Sequence, residues 1–312
     1  MNVINIGQLD KESLSAFDFD LIVTSSGYET RASYFVNNSG LDISLIKNKY
    51  VLNFTTDTSS TTRIENDHIF LSNNFISISC SGSSSKEIIH LIDESIKKIN
   101  KNHVYIIIDY SSMTRIWYGA IIHYLKTQEN ISKTIHLIFT YTEAEFLTPP
   151  DEEPETINFS PIKGFCNLSI PAKPTALIIG LGYEKKRAFG LMEYFDAEVV
   201  NYFLTENSQY TDEVLSRNKE ILENIDEECI FPYSLSNLLL TQMMLHDLCD
   251  SLSQNYRIIL APCGPKPFTL LSFIVASKND NIDLWRISAK EGSHFVDRKP
   301  TGNFILLETI WI

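Results

Sequence analysis

An internal repeat constrains this chain more than any single motif. Asp20-Leu-Ile-Val-Thr-Ser-Ser-Gly-Tyr-Glu-Thr-Arg-Ala32 is echoed by Ala176-Leu-Ile-Ile-Gly-Leu-Gly-Tyr-Glu-Lys-Lys-Arg-Ala188. A second pair is Tyr105-Ile-Ile-Ile-Asp-Tyr-Ser-Ser-Met-Thr-Arg115 and Arg257-Ile-Ile-Leu-Ala-Pro-Cys-Gly-Pro-Lys-Pro267. Order and spacing are both kept, at offsets of about 155 and 152 residues. Each copy is an apolar, β-branched run, a turn of small residues, a cation and a helical pattern. Such runs suit strands buried on both faces, as in a parallel sheet. In the first copy, strands at 21–25, 50–54, 75–79, 104–108 and 134–141 alternate with helical patterns at 28–37, 85–99 and 114–126, and 55–62 reads as a polar loop. That alternation predicts a Rossmann-like sheet. The expectation is an α/β chain of two homologous Rossmann-like halves, 1–150 and 172–312, facing each other about an approximate two-fold axis. Between them, 151–171 reads as a linker or loop, since Pro149-Pro150-Asp151-Glu152-Glu153-Pro154-Glu155 suits neither a helix nor a central strand.

Composition narrows the function. The 312 residues suffice for two cores, and 44 % hydrophobic with 21 % charged residues excludes a disordered chain. Acidic residues outnumber basic ones, 39 to 26, for a net charge of −13. That charge disfavours extended nucleic acid or an anionic membrane as partner, while leaving room for one local basic pocket. No apolar run is long enough to span a bilayer, and the first residues lack the pattern of a signal peptide. The 5 cysteines are an odd number without a C-x-x-C pair, which suggests free thiols in a reducing cytoplasm. The expected localisation is therefore cytoplasmic, and the Asn-x-Ser/Thr sites carry no meaning as glycosylation sequons.

In an open parallel sheet, ligands bind outside the carboxyl ends of the strands, where turns lead into helix N-termini. All four repeated turns belong there, and each offers backbone N–H groups and the positive end of a helix dipole. Gly27, Gly182 and Gly264 permit close backbone approach. Ser25, Ser26, Ser111, Ser112 and Thr114 add hydroxyls. Arg31, Arg115, Lys186, Arg187 and Lys266 place positive charge at helix starts, against the macrodipole, at about 0.3–1 kcal/mol each. A bound polyanion would explain the repetition. The alternative is local: Glu29 and Glu184 neutralise Arg31 and Arg187, making each Gly-Tyr-Glu turn a salt-bridged cap. Tyr28 and Tyr183 stack on nucleobases or pack on the sheet edge. Asp109 binds a ribose hydroxyl or caps the next helix.

These turns resemble those of CARF domains. Strand–Asp–x–Ser–Ser–x–Thr–Arg and strand–x–x–Cys–Gly–Pro–Lys–Pro look like divergent forms of a turn reading roughly N/D-x-T-G-G-T-K. CARF domains are Rossmann-like sensors of cyclic oligonucleotides in prokaryotic antiviral defence. A duplicated form in one chain is similar to SAVED domains. Ser111-Ser112 and Gly264-Pro265 depart from the glycine pair. The resemblance implies ligand contacts at Ser111, Ser112, Thr114, Arg115, Cys263, Gly264 and Lys266. It implies first-strand contacts from Ser25 to Glu29 and from Gly180 to Glu184.

Other motifs carry less. The third glycine of a dinucleotide fingerprint is missing after Gly180 and Gly182. His246 and Cys249, with Asp247 and Asp250, read as an exposed helix face rather than a metal site. Cys263 is a nucleophile at a helix N-terminus or the small residue that a tight turn needs. No cofactor is expected beyond an anionic nucleotide. Two expectations follow: a nucleotide-sensing subunit acting through a separate effector protein, or an enzyme cleaving a phosphodiester or glycosidic bond in the same pocket. A silent scaffold is a third.

Overall fold

The computed structural model describes residues 1–150, 156–166, 172–206, 209–289 and 296–312. Along the chain run β1 (Val3–Leu9), β2 (Leu21–Ser26), α1 (Tyr34–Asn38), β3 (Asn48–Phe54), α2 (Thr61–Ser72), β4 (Ile76–Cys80), α3 (Lys86–Lys98), β5 (His103–Asp109), α4 (Arg115–Thr127) and β6 (Thr134–Ala144). There follow β7 (Thr156–Pro161), β8 (Thr175–Gly180), α5 (Lys185–Phe195), β9 (Val199–Thr205), α6 (Gln209–Arg217), α7 (Lys219–Leu222), β10 (Ile230–Tyr233) and α8 (Leu238–Ser253). The chain closes with β11 (Arg257–Pro262), α9 (Lys266–Lys278), β12 (Ile282–Ala289) and β13 (Pro300–Trp311). Two compact units form: unit 1 is Met1–Glu145 with Phe295–Ile312, and unit 2 is Phe146–His294.

Unit 1 holds a sheet in the order β1-β13-β6-β5-β2-β3-β4. From β6 to β4 every neighbouring pair is parallel. Counted along the chain, those five strands have the Rossmann order 3-2-1-4-5. β13 lies antiparallel to both β6 and β1. The all-apolar runs follow from burial on both faces: Leu21, Ile22, Val23, Ile106, Ile107 and Ile108 are all 0 % exposed.

Unit 2 has its own sheet, β10-β9-β8-β11-β12-β7. Its parallel strands follow the same order, with β7 antiparallel beside β12. The register also corresponds. Leu21 pairs with Ile106 in unit 1, and Ala176 pairs with Ile258 in unit 2, at the two offsets of the sequence repeat.

Four expectations need correction. The stretch 172–312 is not one half, because β13 completes the unit 1 sheet, where Leu306, Leu307 and Trp311 are each 1 % exposed. The stretch 151–171 is not all linker, since β7 pairs with β12 from Thr156 onward; residues 151–155 and 167–171 lie outside the described residues. The loop at 55–62 ends early, at Thr61, where α2 begins. That helix escaped the periodicity argument because it buries Arg63 and Asn66 beside Phe70. Finally, the helix over 28–37 is a 3-10 turn at Thr30–Ser33 leading into the short α1.

Candidate functional site

In unit 1 the chain leaves β2 and β5 on either side of the point where strand order reverses, which is where Rossmann-like sheets open a crevice. β2 and β5 pair as far as Val23 and Ile108, and β2 then continues through Ser26 without a partner in β5. Ser25 is 1 % exposed, and its Oγ has no hydrogen-bond partner; the buried Oγ1 of Thr24 and of Thr114 share that condition. Thr114 is the N-cap residue of α4, but its side chain does not cap the helix. The amide donors of the first turn of α4 are therefore not satisfied by that side chain.

The other expected residues mostly hold one another. Asp109, 1 % exposed, accepts from the Ser111 amide at 3.1 Å and the Ser111 hydroxyl at 2.5 Å. Ser111 Oγ accepts in turn from the Thr142 amide at 2.8 Å. This pair builds the β5 turn internally. Ser26 donates to Asp67 at 2.6 Å, and Arg63 grips the same carboxylate at 2.9 and 3.0 Å. Arg31 is 4 % exposed and spans Glu29 at 2.9 Å, the Tyr141 hydroxyl at 2.9 Å and the Thr142 carbonyl at 3.1 Å. Burial works against its charge, but Tyr141 and Glu29 outweigh burial and raise its pKa. Ser112 donates to Glu29 at 3.1 Å, tying the β5 turn to the β2 turn. Burial, helped by Glu29, pushes the Tyr28 phenol up to about 12. Arg115 is half-buried at the start of α4.

Unit 2 treats the corresponding turns differently. β8 and β11 stay paired as far as Gly180 and Pro262, two residues beyond the corresponding point in unit 1. The Cys263 amide also donates to Gly180 O at 2.9 Å. A Cβ on Gly182 would lie 2.6 Å from Cys263 O, one on Gly264 2.6 Å from Leu181 O, and one on Gly180 2.4 Å from the Phe268 ring. These glycines serve turn-against-turn packing. Arg187 pairs with Glu184 at 2.7 Å, and Tyr183 meets Tyr210 edge-on at 5.7 Å. The local alternative thus describes the contacts of Arg31 and Arg187, whereas Tyr183 meets a helix residue. Cys263 and Lys266 are half-buried at the start of α9; the Lys186 side chain lies outside the described residues.

One residue pair that holds these turns carried no periodic signal. Asn66, 2 % exposed, donates Nδ2 to Gly27 O at 3.0 Å and to Glu29 O at 2.9 Å, and its Oδ1 accepts from Ser33 at 2.7 Å. Asn218, 1 % exposed, donates Nδ2 to Gly182 O at 2.9 Å. In each unit, a buried asparagine following the second parallel strand clamps the turn glycine of the first. Only a polar residue at a buried position could have betrayed them.

Unit 2 also contains a cavity of about 530 Å³, lined by Phe189 and Met192 of α5 and by Arg217, Asn218, Glu220, Ile221, Asn224 and Ile225 around α6 and α7. No expected site residue lines it. On α8, His246 faces Asp250 at 3.6 Å, but Cys249 is fully buried, so the motif is not an exposed face throughout. Among the described residues, no group of three or more His, Cys, Asp or Glu could hold a metal ion. No helix among them is long and apolar enough to cross a membrane. No protein-family model matches the chain, and no curated protein matches it in sequence.

Proposed function

We propose that the chain is a nucleotide-binding sensor subunit, similar to CARF and SAVED proteins, whose unit 1 crevice takes a small anionic nucleotide. The divergence of β2 from β5 beyond Val23 carries this reading, together with the buried Ser25 and Thr114 hydroxyls that have no partner. The start of α4 suits a phosphate, and Arg115 supplies charge beside it. The two units stem from one duplicated domain; the shared strand order, the matched register and the paired asparagine clamps support that. The turns of unit 2 are closed upon each other and serve the fold. Signalling passes to a separate effector protein in a cytoplasmic defence system.

The test is calorimetry with a panel of cyclic di-, tri- and tetranucleotides, NAD and nucleoside triphosphates. Arg115→Glu should weaken binding at least roughly tenfold, since about 1.4 kcal/mol is one decade and a charged hydrogen bond is worth about 1.5–3 kcal/mol. Lys266→Glu, in unit 2, should leave affinity unchanged. Absence of binding by every compound, or equal loss in both variants, refutes the proposal.

A further inference from the structure

The two clamp asparagines differ in one respect. Asn66 uses both ends of its amide, with Ser33 donating to Oδ1 at 2.7 Å. Asn218 gives Nδ2 to Gly182 O at 2.9 Å and Val214 O at 2.8 Å, but its buried Oδ1 has no partner. The helix that follows the Gly182 turn, Lys-Lys-Arg-Ala-Phe-Gly-Leu-Met-Glu-Tyr-Phe, contains no serine or threonine. Ala188 stands six residues after the turn glycine, as Ser33 does in unit 1, and packs in the same core cluster as Val214. A buried acceptor left unmatched costs about 1–3 kcal/mol, so such atoms need an explanation.

Asn218 is also part of the cavity wall. The surrounding Phe189, Met192, Ile221 and Ile225 are apolar, and about 530 Å³ is a size typical of small-molecule sites. Arg217, on the same wall, is held by Glu213 and donates to the carbonyls of Pro149 at 3.0 Å and Pro150 at 3.2 Å. Its positive charge is thus already matched and still disfavours a cation, while Glu220 on the same wall disfavours an anion, so an uncharged occupant suits the site.

We propose that this cavity binds a small, uncharged, largely apolar molecule whose single N–H or O–H group donates to Asn218 Oδ1, in the role that Ser33 plays for Asn66. The cavity belongs to unit 2 and the nucleotide crevice to unit 1, so either proposal can fail without the other.

Indole, which has an N–H donor, and benzothiophene, its counterpart without one, serve as probes for the intact chain by calorimetry and thermal melting. Indole should bind at least roughly fivefold more tightly than benzothiophene, the return expected from one buried hydrogen bond. Ala188→Ser supplies an internal hydroxyl; it should raise the melting temperature and erase the advantage of indole while leaving benzothiophene affinity unchanged. Ile225→Trp fills the cavity and should abolish binding of both. Failure of both probes to bind, equal affinity in the wild type, or unchanged binding in Ile225→Trp would overturn the proposal. The wild-type comparison decides even if a variant does not fold.

Discussion

Gly182 and Gly264 stand where a methyl group would meet a backbone oxygen at 2.6 Å, whereas at Gly27 the nearest atom is 3.5 Å away, in the Phe54 ring. Backbone oxygens cannot swing aside as a side chain can. Gly182→Ala and Gly264→Ala should each cost about 1–3 kcal/mol, in the range of overpacking strain. Gly27 does not have a positive φ, so Gly27→Ala should be neutral or stabilising by about 0.4–1 kcal/mol through the unfolded chain. Urea unfolding of the three variants checks this, and comparable losses at all three would contradict the packing argument. The same contrast shows how far the residues of the site were legible. The Gly-Tyr-Glu turns could be located from the repeat, but not whether a given glycine packs against a neighbouring carbonyl. Arg31 is similar: its charge at a helix start is visible in the sequence, its enclosure by Glu29, Tyr141 and Thr142 is not.

Among the elements, β13 is the one whose place is least evident locally. It pairs along β6 from Phe304 to Trp311, and it also carries β1 on its other edge. Ile305 is 7 % exposed and Leu306, Leu307 and Trp311 are 1 % exposed. Each fully buried large apolar side chain is worth about 1.5–3 kcal/mol. Four of them rival the whole stability of a domain, about 5–15 kcal/mol. A chain truncated after Lys299 should therefore lose the cooperative unfolding of unit 1 while unit 2 keeps its own transition, as followed by hydrogen exchange of the β5 and β11 amides. Retained protection of β5 would show that β13 is dispensable.

Across the whole molecule, buried tyrosines set the alkaline limit. Burial, with Glu29 nearby, pushes Tyr28 up to about 12; burial, with Cys229, does the same for Tyr202; burial also holds Tyr110 well above 10. Below pH 10 these groups are neutral in both states and their contribution is intact. Above it the unfolded chain ionises first, so stability falls as pH rises through 10 toward 12 and beyond. The urea midpoint should drop between pH 8.5 and pH 11. Absorbance should show part of the 14 tyrosines resisting ionisation at pH 11. An unchanged midpoint, with all of them titrating near 10, would contradict this.

Local sequence determined the central parallel strands and the class of fold, because a strand buried on both faces must be apolar along its length, as 21–23 and 106–108 are. Repetition of that pattern also located the four turns at the carboxyl ends of the strands. Tertiary structure alone decided how far the strands beneath the turns stay paired. Val23 and Ile108 are the last pair in unit 1, while unit 2 continues to Gly180 and Pro262. The reason is steric and cooperative. Whether two strands stay paired depends on what packs above their ends: in unit 2 one glycine turn nests in another, and in unit 1 Ser112 reaches across to Glu29. Contacts between residues so far apart in sequence leave no periodic trace. The clamp asparagines and the final strand were hidden for the same cause, since each is defined by a partner more than thirty residues away.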